Sequence, residues 1–118
     1  MEKKLVTVVE LESFLSAAKK ILSEKEKDFL VWYVASHPTF GDEIPGTGGL
    51  RKFRWPGKGK GKRGGLRIIY FFYNENHPIF LLTVYSKGDR EDLTQSQKSI
   101  LTEVAEGLKE KFKRKNKK

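Results

Sequence analysis

The stretch from Arg51 to Arg67, R-K-F-R-W-P-G-K-G-K-G-K-R-G-G-L-R, carries eight cations and no acid, with aromatics only at its edge. Charge left uncompensated over so short a span calls for an anionic partner, and nucleic acid is the first candidate. The absence of any acid between Glu43 and Glu75 strengthens that reading. Cations alone can also do chemistry on one polymer. RNA carries its own nucleophile, the 2′-OH beside each phosphate. A protein then needs only to align the attack, take up a proton and stabilise the charge that builds on the phosphate oxygens. An arginine stays protonated and clamps, whereas a lysine crowded by like charge can become a proton acceptor. DNA lacks the hydroxyl and is not cut this way.

Other chemistries find little support. The sequence shows no nucleophilic serine arrangement, no thiol and no carboxylate pair of recognisable spacing. His37 stands beside Pro38 and His77 in a turn, neither with the spacing of a metal site, and no metal or cofactor is expected. Gly59, Gly61 and Gly64 match the dinucleotide-binding GxGxxG formally, but they precede a strand and lack a βαβ context. Between its glycines the same loop places Lys58, Lys60, Lys62 and Arg63, where a free backbone and four side chains can meet phosphates. From Lys109 onward seven cations face one acid, a basic and poorly ordered tail with a supporting electrostatic role.

These residues must be positioned by elements that the hydrophobic pattern reveals. Leu5 to Val9 reads as a first strand, and Leu11, Phe14, Leu15 and Ala18 as a helix running to about Leu22. Ser23 and Glu26 form a capping-box pattern for a second helix that stops before Pro38. Gly41 to Gly49 reads as a loop, after which the period becomes alternating. Strands are expected at Leu50 to Trp55, Arg67 to Tyr73 and Ile79 to Tyr85, each followed by its antiparallel neighbour. Thr94 and Gln97 then cap an amphipathic final helix built on Ile100, Leu101, Val104, Ala105, Leu108 and Phe112. The expected class is α+β, in the order β-α-α-β-β-β-α. Strand parity sends Lys52 and Arg54 to one face and Phe53 and Trp55 to the other. Arg67 and Lys87 can join that cationic face if the strands are neighbours. The aromatics Tyr70 to Tyr73, Phe80 and Tyr85 read most simply as packing, with base stacking open to an exposed Tyr85 or Trp55.

At 118 residues and 37% hydrophobic content the chain fits one domain, 1–118, with a real core. A formal charge of +9 makes polyanion binding steeply dependent on salt. Without cysteine there is no disulfide or thiolate metal site. Neither a signal peptide nor a membrane span is visible, so a cytoplasmic protein with no membrane partner is the default expectation.

The runs G-T-G-G-L-R-K-F-R-W, G-G-L-R-I-I-Y-F-F-Y and I-F-L-L-T-V-Y-S-K resemble the RelE/ParE superfamily of bacterial toxins, closest to its RelE-like HigB branch. The likeness spans nearly the whole chain and is strongest from Gly46 to Lys87. It implies a small α+β fold with a twisted antiparallel sheet, and an endoribonuclease that cuts translated mRNA in the A site of the 30S ribosomal subunit. It also implies neutralisation by a cognate, HigA-like antitoxin. Carried over by position, the family's catalytic cations fall on Lys52, Arg54, Arg67 and Lys87. Lys52 or Arg54, with Lys52 preferred, would assist activation of the 2′-OH. Arg67 would hold the scissile phosphate and Lys87 would support departure of the 5′-oxygen. Arg51, Lys58, Lys60, Lys62 and Arg63 would contact mRNA or rRNA backbone. Where relatives carry a tyrosine or histidine near the start of the last helix, this chain has Glu91, Asp92, Leu93 and Thr94. Two other readings stay open: a ParE-like inhibitor of DNA gyrase and a non-catalytic RNA-binding module.

Overall fold

The computed structural model describes residues 5–56, 65–86 and 93–116. The elements are β1 (Val8–Glu10), α1 (Glu12–Ile21), α2 (Glu24–Ser36), β2 (Asp42–Glu43), β3 (Leu50–Trp55), β4 (Leu66–Phe71), β5 (Ile79–Ser86) and α3 (Gln95–Asn116). They form an α+β fold around one five-stranded sheet of order β1-β5-β4-β3-β2. The strands linked through the second half of the chain pair antiparallel, as expected, and β3 keeps the expected limits. β1 covers Val8–Glu10 and not Leu5 to Val9, and β4 ends at Phe71 and not at Tyr73; in topology, two features differ from the sequence reading. The loop before β3 contributes β2, two residues paired at Asp42↔Lys52 and Glu43↔Arg51. At the far edge β1 runs parallel to β5, so the sheet is mixed. No hairpin ties β1 to β5, and nothing local obliges the pair to run antiparallel.

Both inner helix starts follow from their sequence. Ser23 Oγ accepts from the Glu26 N–H at 3.1 Å and Glu26 returns a bond to the Ser23 N–H at 2.7 Å. Thr94 and Gln97 repeat the device at 3.1 and 2.9 Å, each satisfying donors that a helix N-terminus leaves orphaned.

Because neighbouring residues of a strand point to opposite faces, β4 supplies two cores at once. Ile68 and Tyr70 join Phe14, Ala18, Leu30, Val34 and Leu81 beneath α1 and α2. Ile69 and Phe71 join Leu50, Leu82, Ala105 and Phe112 beneath α3. All four of these β4 side chains are 0% exposed, which fixes the register: a slip of one residue would exchange the two sets.

The alternation breaks once. Ile69 pairs with Thr83 but Tyr70 pairs with Leu81, leaving Leu82 as a bulge. The Leu82 carbonyl, displaced from the ladder, accepts a 2.5 Å bond from Ser13 Oγ on α1. Beyond the bulge the phase of β5 is inverted. Val84 therefore packs in the α1/α2 core and Tyr85 on the α3 side, the reverse of what uninterrupted alternation from Ile79 gives.

The link from α2 to β2 is latched by Tyr70. Its hydroxyl donates to the Pro38 carbonyl at 2.7 Å and accepts from the Gly41 N–H at 3.0 Å. A Cβ on Gly41 would stand 2.9 Å from that ring. Burial holds the phenol neutral and raises its pKa above the ordinary 10.0. Tyr70→Phe strands a buried N–H and a part-buried carbonyl and should cost about 1–3 kcal/mol in denaturant titrations at pH 8. The unfolded chain gives up the phenolic proton first, so this contribution is complete below pH 10 and declines as pH rises through the folded value. The Lys27 ammonium, kept protonated by its 2.7 Å bond to Glu10, has the same sign in both proteins and cancels. Wild type should therefore lose stability more steeply than Tyr70→Phe above pH 10; parallel curves would show that the phenol is not the group responsible.

Candidate nucleic-acid interface

Lys52 and Arg54 on β3 and Arg67 on β4 occupy the sheet face that α3 covers at its other end. The register sets Arg54 opposite Arg67, and Arg67 opposite Tyr85 on β5, in one row across three strands. The next row reads Asp42, Lys52, Ile69, Thr83, so the β2 carboxylate stands opposite Lys52. Facing side chains in such a row have Cβ atoms about 5 Å apart, and like charges placed there repel. Neither β3, β4 nor β5 contains an acidic residue. Arg54 is exposed, Lys52 and Arg67 are half-buried, and Tyr85 is 6% exposed. The row thus grades from open solvent at β3 to a packed ring at β5.

The start of α3 borders this surface. Thr83, Leu93, Gln97, Ile100 and Leu101 line a cavity of about 150 Å³ between β5 and the first turns of the helix. The first turn carries no acid, so the positive end of the helix dipole adds to the cationic field. Two planar guanidiniums side by side, with an amine one row away, suit a tetrahedral phosphate that accepts several charge-assisted bonds.

Of the cations expected to act, the fold brings Lys52, Arg54 and Arg67 together. Lys58, Lys60, Lys62, Arg63 and Lys87 lie outside the described residues. Arg51 stands apart on the opposite face. Its guanidinium donates to the carbonyls of Gly41 at 2.6 Å and Thr39 at 3.3 Å and pairs with Glu43 at 3.3 Å, fastening the β2 segment. Trp55 also points to that face, among Phe29, Tyr33 and Phe53 with ring centroids 5.3–5.8 Å away. His37 stacks on Tyr33 and His77 on Phe112, each at 4.2 Å, and neither belongs to the cationic rows. Among the described residues no three His, Asp or Glu side chains converge as a metal-binding group. No helix among them is long and apolar enough to cross a membrane.

Tyr85 is the member of the row that strand parity alone does not find. The run from Ile79 to Tyr85 is apolar almost throughout, so it carries no alternation from which the bulge and its inverted phase could be read.

Comparison with known proteins follows the same part of the chain. Residues 44–117 match the model of a family described as the RelE toxin of the RelE / RelB toxin-antitoxin system. Among solved structures, the chain is similar to free E. coli toxin RelE carrying two arginine-to-alanine substitutions. The TM-score is 0.53 at 18% identity, over 74% of this chain and 88% of that one.

If the cationic row receives phosphates, single-stranded RNA should bind with a steep salt dependence. Arg54→Ala and Arg67→Ala should each lower the slope of log K against log salt by about 0.7, the value for one contact on a single strand. Arg51→Ala should leave it unchanged. Fluorescence anisotropy from low to moderate salt reads the slopes; equal slopes for Arg54→Ala and wild type would remove the row from the interface.

Proposed function

The chain belongs to the RelE toxin family, and on that premise we propose that it is the toxin of a type II toxin-antitoxin pair and a ribosome-dependent mRNA endoribonuclease. The observation that carries this reading is the Arg54–Arg67 pair held in register on β3 and β4, strands that carry no acid of their own. In the proposed reaction the RNA 2′-oxygen attacks the adjacent phosphorus. The bond from phosphorus to the 5′-oxygen breaks, leaving a 2′,3′-cyclic phosphate and a 5′-hydroxyl. Lys52 takes up the 2′-OH proton, assisted by Arg54, and the 5′-oxygen leaves with a proton delivered at Lys87. Arg67 bridges the non-bridging oxygens, whose charge grows in the transition state.

The basic loop carrying Lys58, Lys60, Lys62 and Arg63 anchors mRNA or rRNA backbone. The A site supplies the substrate in an extended conformation, and alignment of the 2′-oxygen is then shared between ribosome and toxin. Within the family we place the chain nearest the HigB branch, on its G-T-G-G-L-R-K-F-R-W run, with a HigA-like antitoxin as partner.

Primer extension on a defined mRNA, with and without ribosomes, tests the proposal. Wild type should cut within A-site codons only when ribosomes are present. Arg67→Ala should lose about 10²–10³ in rate, the usual cost of removing one donor to a developing oxyanion, and should keep the wild-type circular dichroism spectrum. A fully active Arg67→Ala would sink the assignment. Intact mRNA would redirect attention to gyrase supercoiling or to RNA binding alone.

A further inference from the structure

We propose that Tyr85 is a positioning residue for Arg67, setting the direction in which its guanidinium meets the phosphate. The inference rests on the functional reading above and deepens it at the same site.

Three observations converge on Tyr85. In register, it is the β5 partner of Arg67, so Arg67 has a cation on one side and a phenol ring on the other. In phase, only the Leu82 bulge brings residue 85 to this face. Without it Val84 would stand in that position and Tyr85 would turn toward α1 and α2. In packing, Tyr85 belongs to the core under α3 with Ile69, Leu82 and Ala105, which makes it a fixed wall and not a mobile surface ring.

The physics of the row follows from those placements. Arg54 repels the Arg67 guanidinium, while the face of an aromatic ring attracts it. The two influences act in the same direction, drawing Arg67 toward β5 and away from Arg54. The planar fork of Arg67 serves two oxygens only in a narrow range of orientations. A misplacement of about 1 Å in such a group costs about 100-fold in rate. Tyr85 thus acts on the reaction through Arg67, without touching the substrate. The bulge, held by Ser13, becomes part of the device because it decides which side chain of β5 stands in the row.

Tyr85→Phe and Tyr85→Leu separate this role from core packing, since both keep an apolar side chain and only the first keeps the ring. Single-turnover cleavage on programmed ribosomes should remain within about threefold of wild type for Tyr85→Phe. It should fall at least tenfold for Tyr85→Leu, with RNA affinity nearly unchanged and the circular dichroism spectrum of wild type at the assay temperature. In an Arg67→Ala background Tyr85→Leu should cost little more, because the group it directs is already gone. An activity-independent measurement accompanies the kinetics: NMR relaxation of the Arg67 Nε–Hε group should show an ordered guanidinium in wild type and Tyr85→Phe and a mobile one in Tyr85→Leu. Equal order in all three, or a Tyr85→Leu loss that adds fully to that of Arg67→Ala, would overturn the proposal. A wild type that leaves mRNA intact would refute the enzymatic reading, while the NMR comparison would still decide whether Tyr85 orders Arg67.

Discussion

Repulsion between Arg54 and Arg67, held opposite each other by the β3–β4 ladder, is the constraint to which the rest of the molecule answers. Two unit charges about 6 Å apart repel by about 1 kcal/mol in a water-like medium and about 3 kcal/mol at the effective dielectric of a protein surface. A small domain has only about 5–15 kcal/mol of net stability, so even the lower figure is a noticeable cost. Strands β3, β4 and β5 carry no carboxylate, and Asp42 of β2 faces Lys52 in the neighbouring row. A phosphate seated between the guanidiniums reverses the sign of the interaction, and the energy then favours the complex. On the proposed reading, the charge that strains this face is also the charge that binds.

Such a row survives only on a stiff support. β4 provides it by being buried on both faces, with Ile68 and Tyr70 on one side and Ile69 and Phe71 on the other, all fully inaccessible. Shifting β4 by one residue to relieve the charges would drive Arg67 into the α1/α2 core, a far larger penalty than the repulsion it removes. On β5 the Ser13–Leu82 bond settles the carbonyl that the bulge displaces and ties the β5 phase to α1. The hydrophobic layers, remote from any phosphate, are what keep the cations facing one another.

How far the sequence foretold this depends on whether the determining signal was local. The two capping boxes were legible because each is written in four residues, and β3 was legible because its polar and apolar positions alternate cleanly. Parity on β3 likewise paired Lys52 with Arg54 and separated Trp55 from them. Arg51 is the instructive case. Its charge resembles that of its neighbours, but parity turns it to the other face, where Glu43 and two carbonyls from the β2 segment engage it. Those partners were hidden because Gly41 to Gly49 carries loop composition, and β2 exists only through its pairing with β3. The parallel edge at β1 and the bulge at Leu82 were invisible for a related reason: both depend on tertiary partners, and β5 is too uniformly apolar to show a phase.

The division of labour in the chain follows from these dependencies. The residues shared with the toxin family begin before β3 and continue through α3, so they include both cationic rows and the helix that closes the same face. β1, α1 and α2 lie outside that span and act from behind the sheet, through the α1/α2 core and the Ser13 bond. The proposed reactivity draws on lysine and arginine alone. Ordinary lysine and arginine become specific because alternating strands give them one direction and buried neighbours forbid them any other. In the proposed reaction RNA supplies the nucleophile, and the sheet supplies a rigid frame on which positive charge meets the phosphate where negative charge would develop. Under that proposal, selectivity for RNA over DNA would reside in the substrate's own hydroxyl, with no separate recognising group.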